Sequence, residues 1–429
     1  MKFFILTLLI SFSTMATEGV FPLTYGEENL YHLDKMVKGA EVLAIGESGH
    51  GSKGYLETRT QLIKHFVKES GFRVIILEEG YLKSEALNEY LNSCSQNSHR
   101  TSDLRALVEK LNSIYANEEM LQTMDWLCSF NTQNPENPVS FHGMDIWETP
   151  WTDREVIRSV AQKAAHPELS GLFESAFQNC WGWKANSWEE AETFEEWQYL
   201  LRTWRIEPQR NFDCMGALIN LRRLFASERA ILIERTSENE VFLAEIAVQV
   251  QEVYQLYRDL AMWDFKKVLS VRDTAQATFT IAHHSRHPNS KAILLAHNIH
   301  VSKKQSAVIL RNPNRDHWVD VRSTGELLRG HYGRGYKSIG LTGYKVSSSR
   351  DGDYPLPVAS DSLDLTLASM GEKLLVDPRA NWITDLGEWW MHLEGDINGS
   401  FHVPHEQYDA IIFLKESGKA TNLHTQKLL

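Results

Sequence analysis

Four short apolar runs, each followed by a charged or titratable residue, constrain the fold of this chain more than any other feature. The runs span residues 42–46, 74–77, 139–141 and 292–296, and the polar residues that follow them are Glu47, Glu78, Asp145 and His297. Near-continuous apolar runs of this length are typical of strands buried on both faces, as in parallel sheets covered by helices. Ligands bind at the carboxyl ends of such strands. We therefore predict that these residues, together with the nearby His50, line one active-site cleft.

The order of the apolar patterns predicts an α/β fold with a mostly parallel central sheet flanked by helices and a large α-helical insertion. Helical spacing runs from residue 151 to 288 and is interpreted as a cap. Other patterns predict a helix over 103–115, strands at 338–341 and 410–414, and a loop over 343–365. The predicted organisation is a signal peptide (1–16), a first part of the core (17–150), the cap (151–288) and a second part of the core (289–429).

Bulk charge indicates which partners the protein lacks, and the N-terminal segment predicts that it is exported. A net charge of -12 and a pI near 5.8 argue against a nucleic-acid partner, because phosphate binding requires a basic face. Lys2 precedes an apolar run over residues 3–10, and the small residues that follow end in a signal-peptidase-like Thr14–Ala16. That run is too short for a stable membrane anchor. We expect a periplasmic or secreted monomer or small oligomer without a membrane partner.

The four cysteines allow either disulfides or buried thiols. Cys94, Cys128, Cys180 and Cys214 form no CxxC pair and have no metal-type spacing. In an exported chain the pairs Cys94–Cys128 and Cys180–Cys214 are candidates for bridges, and buried free thiols are the alternative.

The hexapeptide Gly46–Gly51, with the sequence GESGHG, is the most informative motif. Its glycines permit a tight turn after a strand and close approach of the backbone to a ligand. Glu47 and His50 place a carboxylate and an imidazole on that turn. The motif nearly matches the serine-hydrolase elbow G-x-S-x-G, but the position two after Ser48 is His50. A Ser48 nucleophile and a simple strand-end turn with exposed polar residues are the alternatives.

Arg59 strengthens the prediction of a site at this turn. Its spacing relative to apolar neighbours places the guanidinium on the buried face of the helix that follows the turn. A buried charge must be paired, and the carboxylates of Glu47 and Glu78 are the predicted partners. The alternative is an Arg–Glu bridge with a purely structural role.

His297 and His300 supply two imidazoles after the last buried strand. Together with Glu47 and His50 they could offer mixed nitrogen and oxygen ligands to a metal. However, the chain contains neither an HExxH motif nor a Cys/His cluster, so we expect no metal. The histidines within 283–287 are interpreted as structural, because cationic residues suit the C-terminal end of a long helix.

At these motifs the chain resembles the erythromycin esterase family. The matching segments are Leu43–Gly51, Arg59 with the helix that carries it, Gly71–Glu78, Trp126 with Asn131, Phe141–Asp145, Val271–Asp273, Ala296–Val301, and Gly325–Leu328 with Tyr336. The Glu-x-x-His turn and the His-Asn-x-His-Val run are specific in combination. The resemblance implies an α/β fold with a helical cap and metal-independent hydrolysis of a carboxylic ester or macrolactone, without a cofactor.

The resemblance also implies a role for each site residue. His50 would be the general base that takes a proton from the attacking water, and no covalent acyl-enzyme would form. Glu47 and Glu78 would orient that water and raise the basicity of His50, whereas Arg59 and His297 would bind the substrate or stabilise the oxyanion. The residues predicted to contribute to substrate binding are Asp145, Arg272 and His300.

The chain departs from that family's pattern at two places. Gly49 stands before the histidine where threonine or serine is common, and residues 274–279 lack the usual Met-Ala-x-Asn run. Aromatic residues of the predicted cap could line a pocket for a bulky ester; they are Trp181, Trp183, Trp197 and Trp204. The expected partner is a small-molecule ester or lactone. The alternatives are a metal-dependent hydrolase or peptidase of the wider fold and a non-catalytic ligand-binding protein.

Overall fold

A mixed β-sheet forms the centre of the structure, which is a computed structural model. The residues it describes are 17–25, 30–94, 101–146, 150–181, 208–261, 265–304, 308–309, 322–349, 352–354, 356, 362–392 and 400–423. The strands are β1 (Val20–Pro22), β2 (Val42–Ile45), β3 (Phe72–Gly80), β4 (Ser140–Asp145), β5 (Lys291–Leu295), β6 (Val308–Ile309), β7 (Tyr336–Ser348), β8 (Gly352–Asp353), β9 (Lys373–Val376), β10 (Trp389–Met391), β11 (Ser400–His402) and β12 (Ala410–Ser417).

The central sheet is mostly parallel, which confirms the predicted fold class. Within the described ranges its nine strands have the order β1-β9-β12-β7-β2-β5-β3-β4, with β8 paired to β7. The strands from β12 to β4 in that order are parallel to their neighbours. The pairs β1–β9, β9–β12 and β7–β8 are antiparallel. A separate antiparallel sheet has the order β10-β11-β6.

Helices flank this sheet. They are α1 (Tyr31–Met36), α2 (Lys53–Glu69), α3 (Tyr81–Ser93), α4 (Thr101–Val108), α5 (Glu118–Gln133), α6 (Pro150–Ala164), α7 (Pro167–Ala176), α8 (Pro208–Arg235), α9 (Glu238–Ala261), α10 (Phe265–Ser285), α11 (Asn298–Val301), α12 (Thr324–Tyr332), α13 (Leu363–Ala368), α14 (Asn381–Thr384) and α15 (Pro404–Gln407). A π-helical turn over Phe177–Trp181 follows α7.

Two of the local predictions were wrong. The loop predicted over 343–365 contains the end of β7, because pairing with β12 continues as far as Val346 opposite Ser417. The helix predicted over 103–115 ends as α4 at Val108. The turn after it is held by the carboxylate of Glu79, which accepts the backbone N–H of Asn112 and so removes that donor from a continuing helix.

The central strands are buried on both faces, as their sequences predict. In β2, Val42 and Ala44 belong to one apolar cluster, whereas Leu43 and Ile45 belong to another. The second cluster includes side chains of α2 and α5. The first cluster includes side chains of α6 to α10, so the described part of the helical region shares a continuous core with one face of the sheet. Its division from the core as a separate cap over 151–288 stays a prediction.

Both candidate cysteine pairs are disulfides. Cys94 and Cys128 join the end of α3 to α5 with a Cα–Cα distance of 5.5 Å. Cys180 and Cys214 join the π-helical turn to α8 with a Cα–Cα distance of 5.0 Å.

Two sequence predictions concern segments outside the described residues. The predicted signal peptide over 1–16 is one, and the other is the region of the predicted cap that contains Trp183, Trp197 and Trp204. The side chain of Trp181 also lies outside the description. Among the described helices, none combines the length and apolar character that crossing a membrane would require.

Candidate active site

The Gly46–Gly51 turn leaves the carboxyl end of β2 and is held against α11. The backbone N–H of Asn298 donates to the carbonyl of Glu47 at 2.8 Å. A Cβ placed on Gly46 would lie 2.0 Å from Oδ1 of Asn298, so only glycine allows this close approach. Gly51 closes the turn with a φ of +68°, in the left-handed region that favours glycine.

Glu47, His50 and Arg59 form one connected group at this turn. Nδ1 of His50 lies 2.8 Å from Oε1 of Glu47. Nη1 of Arg59 lies 3.0 Å from Oε2 of Glu47 as an ion pair, although the angle falls outside the hydrogen-bonding range. Nη2 of Arg59 donates to the carbonyls of Ile45 (3.1 Å) and Ala296. The fully buried carboxylate of Glu47 is thus fixed on both sides.

The contact with Glu47 determines which nitrogen of His50 can act as a base. A carboxylate oxygen accepts hydrogen bonds, so Nδ1 of neutral His50 carries the proton and Nε2 carries the lone pair. Nε2 has no hydrogen-bond partner among the described residues. The residue keeps 9% of its surface exposed, so water can reach the ring. An oriented imidazole with an open Nε2 is the arrangement of a general base.

Ser48 is placed differently from the nucleophile of a serine hydrolase. It is fully buried, and its Oγ lies 2.8 Å from the hydroxyl of Tyr55. No described histidine contacts this hydroxyl. The imidazole of the turn is paired with Glu47 instead.

His297 lies beside His50 with a defined tautomer. The centres of the two rings are 5.0 Å apart. Nδ1 of His297 accepts the backbone N–H of Ile299 at 3.3 Å, so this nitrogen is unprotonated. Nε2 therefore carries the proton and donates to the carbonyl of Ser48 at 3.2 Å. Burial, followed by the nearby His50, lowers the pKa of His297 well below its usual value, which keeps the ring neutral.

Glu78 connects His297 to a second group of charges. Its Oε2 accepts the backbone N–H of His297 at 2.7 Å. Its Oε1 lies 2.8 Å from Nη2 of Arg272 and 3.2 Å from Nε2 of His300. Burial alone would raise the pKa of Glu78, but His300 and Arg272 hold that pKa well below its usual value.

Arg272 and His300 extend this group to two more carboxylates. Nε of Arg272 donates to Oδ1 of Asp145 at 3.0 Å, and Nη2 donates to Oδ2 of the same residue. Nδ1 of His300 lies 2.9 Å from Oδ1 of Asp273. Burial opposes a charge on His300, but Asp273 and Glu78 together raise its pKa from 6.5 to about 10. We refer to Glu78, Asp145, Arg272, Asp273 and His300 as the inner network.

The structure brings the eight predicted site residues into two adjoining groups. The Glu47–His50–Arg59 group and the inner network meet at His297, which contacts the ring of His50 and the carboxylate of Glu78. No cluster of three or more His, Cys, Asp or Glu in the described ranges has an arrangement that could hold a metal ion. His283, which we interpreted as structural, stacks on His142 with 4.4 Å between ring centres.

Three residues next to these groups were not predicted from the sequence. Asp273 pairs with His300, and Tyr354 reaches the turn from beyond β8. Tyr115 is fully buried with its ring centre 6.3 Å from that of His50. The hydroxyl of Tyr115 has no hydrogen-bond partner in the described part of the chain. The one available signal was the position of Asp273 directly after Arg272.

Comparison with known proteins agrees with the sequence motifs. The family model described as erythromycin esterase matches residues 67–417. The chain belongs to the erythromycin esterase family. The matched range contains the inner network and His297, and it begins after the Gly46–Gly51 turn and Arg59. Family membership supports a hydrolase activity.

Relatives and solved structures are similar at low identity over much of the chain. Erythromycin esterase type II of Escherichia coli is 22% identical over 323 residues, which cover 73% of this chain and 71% of the relative. YbfO of Bacillus subtilis is 23% identical over 415 residues, covering 90% and 86%. A mutant of the erythromycin esterase EreC in its open conformation has a TM-score of 0.69 at 18% identity, covering 92% of this chain and 95% of that one. The last comparison shows the shared fold.

Proposed function

We propose that this member of the erythromycin esterase family hydrolyses a carboxylic ester or lactone by direct attack of water activated by His50. One observation carries the proposal. Nδ1 of His50 is fixed to the buried carboxylate of Glu47, while Nε2 is open and accessible. Water is a poor nucleophile at neutral pH, so a positioned base of this kind contributes about 10²- to 10⁴-fold to the rate.

In the proposed reaction, Nε2 of His50 takes a proton from water as the water oxygen attacks the carbonyl carbon. Glu47 then stabilises the imidazolium through the 2.8 Å contact with Nδ1. The neutral Nε2–H of His297 would donate a hydrogen bond to the developing oxyanion. Collapse of the tetrahedral intermediate breaks the ester bond, and His50 returns the proton to the leaving oxygen. No covalent bond to the protein forms.

The contacts of Arg59 support a positioning role rather than a direct one. Its guanidinium is buried, with Nη2 donating to two backbone carbonyls and Nη1 facing Glu47. We propose that Arg59 holds Glu47 in place and does not itself bind the substrate. The inner network would in turn fix the backbone of His297 through Glu78.

We also propose that the protein acts in the periplasm or outside the cell. The apolar run over residues 3–10 supports export. Two disulfides support the same conclusion, because such bonds persist in oxidising compartments.

The test is a hydrolysis screen of the exported protein against macrolides, simple esters and lactones, read as a mass gain of one water. Dialysis against a chelator separates the metal-dependent alternative, which predicts lost activity that a divalent ion restores. A search for an adduct on Ser48 by mass spectrometry after rapid quenching separates the serine-hydrolase alternative. Absence of turnover with every substrate, combined with binding of one of them unchanged in His50→Ala, would favour a non-catalytic ligand-binding protein.

A further inference from the structure

The backbone carbonyl of Ser48 is shared by two donors that come from different parts of the chain. Nε2 of His297 donates to it at 3.2 Å, and the hydroxyl of Tyr354 lies 3.5 Å from it. A carbonyl oxygen has two lone pairs and can accept both hydrogen bonds. Because Ser48 is fully buried, loss of both donors would leave an unsatisfied carbonyl, which is costly.

Gly49 is the residue that lets Tyr354 reach this position. A Cβ on Gly49 would lie 1.9 Å from the hydroxyl oxygen of Tyr354 and 2.6 Å from its Cζ. The phenol therefore occupies the space of a side chain at the position directly before His50. The backbone of Tyr354 is fixed in turn, because its N–H donates to the carbonyl of Val346 at 2.9 Å. Glycine is required at position 49 because of this close contact and not because of an unusual φ.

The present hydrogen bond of His297 conflicts with its proposed use. The only proton on the neutral ring is the one donated to Ser48, so His297 must release that carbonyl before it can donate to a substrate oxygen. Because its ring centre lies 5.0 Å from that of His50, a substrate carbonyl beside His50 would also lie beside His297.

We infer that Tyr354 is a positioning residue that retains a hydrogen bond to the Ser48 carbonyl when His297 turns its Nε2–H toward the substrate. The inference rests on the proposed function of His297. Tyr354 itself does not contact the reacting atoms. Its hydroxyl lowers the cost of the rearrangement, because the buried carbonyl keeps a donor throughout.

Kinetic measurements on Tyr354→Phe test this role. The variant removes the hydroxyl and keeps the ring, so Ser48 would hold His297 more firmly. The hydroxyl lies 3.5 Å from the carbonyl, so its hydrogen bond is a weak one. We expect kcat to fall about two- to tenfold, with KM within about twofold of wild type. An unchanged kcat would overturn the inference.

A pair of double variants separates the hydroxyl from packing. Tyr354→Leu makes room at residue 49, and a serine there can place its hydroxyl, one bond beyond Cβ, close to the former position of the phenol oxygen. We expect Gly49→Ser with Tyr354→Leu to recover most of the kcat lost in Tyr354→Leu. The matched control, Gly49→Ala with Tyr354→Leu, fills the space without a hydroxyl and should stay low. Equal recovery in both double variants would contradict the inference.

A thermal unfolding cycle tests the shared carbonyl without using turnover. Tyr354→Phe should lower Tm only slightly while His297 still donates to Ser48. In a His297→Ala background the same change removes the last donor, so it should lower Tm by several degrees more. Additive Tm changes would contradict the sharing. If the wild-type protein hydrolyses no ester, both the proposed function and the proposed release of Ser48 by His297 are wrong. The thermal unfolding cycle still tests whether His297 and Tyr354 share the Ser48 carbonyl.

Discussion

The two groups of charged residues at the sheet edge differ in how completely their hydrogen-bonding atoms are used. At the Gly46–Gly51 turn, Nε2 of His50 is open among the described residues while Nδ1 is fixed to Glu47. In the inner network, the carboxylate oxygens of Glu78 accept from the backbone N–H of His297 and from Arg272, and Oε1 also lies 3.2 Å from Nε2 of His300. One group therefore presents a free lone pair, whereas the other presents a closed set of ion pairs.

Because of this difference, the Glu47–His50–Arg59 group is suited to a chemical role and the inner network to a structural role. A general base needs an unoccupied nitrogen that water can reach, and Nε2 of His50 has this character in the described part of the chain. A closed network of buried charges fixes geometry instead, because each member is costly to leave unpaired. The comparison predicts that mutations in the first group change the rate, whereas mutations in the second group change stability first.

The largest effect is expected for His50→Ala. Removal of the base should lower kcat by about 10²- to 10⁴-fold, with circular dichroism unchanged because the ring is at the edge of the core. The matched control is Ser48→Ala on the same turn, whose hydroxyl contacts only Tyr55 among the described side chains. It should keep kcat within a few-fold. If Ser48→Ala were as inactive as His50→Ala, the assignment of the chemical role to His50 and not to Ser48 would be wrong.

Arg272→Met should have the largest effect on stability. It leaves the buried carboxylate of Asp145 without its cation and removes one of the two cations beside Glu78, which costs about 3–5 kcal/mol. Urea unfolding measures the loss. Arg272→Lys is the control that keeps the charge but cannot reproduce the two-pronged contact with Asp145. If Arg272→Met unfolds like wild type yet has lost all activity, Arg272 would belong to the chemical group instead.

The inner network should also give stability a distinctive pH dependence. Asp273 and Glu78 raise the pKa of His300 from 6.5 to about 10, against the effect of burial. Between those values the folded protein holds one more proton than the unfolded chain. Stability from this group is therefore complete below pH 6.5 and is lost progressively as the pH rises toward 10.

Urea unfolding between pH 6 and pH 10 checks this dependence, with His300→Asn as the comparison. The variant should start less stable and show a shallower decline, since it lacks the titrating ring. An NMR titration of His300 in the wild-type protein provides a second readout that needs no variant. Parallel curves for the two proteins, or a ring that loses its proton near its ordinary pKa, would contradict the network as described.

The sequence was sufficient to predict which strand-end residues meet. Apolar runs without alternation indicate strands buried on both faces, and parallel neighbours place their carboxyl ends together. That argument correctly brings Glu47, Glu78, Asp145 and His297 to one edge of the sheet. It depends only on local pattern and on the geometry of a parallel sheet.

The contacts that decide the role of each residue could not be predicted in the same way. Tyr115 lies in a segment with helical spacing, and Tyr354 lies in one rich in turn residues, so neither pattern pointed to the site. Their positions depend on tertiary contacts, such as the capture of the Asn112 N–H by Glu79. The tautomer of His297 likewise follows from the backbone N–H of Ile299 and not from any motif.

The smallest predicted effect is a change in the free energy of unfolding when either of two buried tyrosines beside the turn is replaced by phenylalanine. The sign of that change is informative. The hydroxyl of Tyr115 has no partner among the described residues, whereas that of Tyr55 pairs with Ser48 at 2.8 Å. An unsatisfied buried hydroxyl destabilises by about 1–3 kcal/mol, and a satisfied one contributes about 1 kcal/mol. Tyr115→Phe should therefore leave the free energy of unfolding unchanged or raise it, and Tyr55→Phe should lower it.

Urea unfolding of the two variants measures the difference in the free energy of unfolding. Kinetic measurements then show whether the Tyr115 hydroxyl also takes part in the reaction. Burial, followed by Glu78 and Glu47, raises the pKa of Tyr115 well above its usual value, so the phenol stays protonated as a donor next to His50. A more stable but slower Tyr115→Phe would show that this hydroxyl finds its partner only during the reaction, which would add Tyr115 to the chemical group. A loss of stability equal to that of Tyr55→Phe would show that the hydroxyl is already paired in the resting protein.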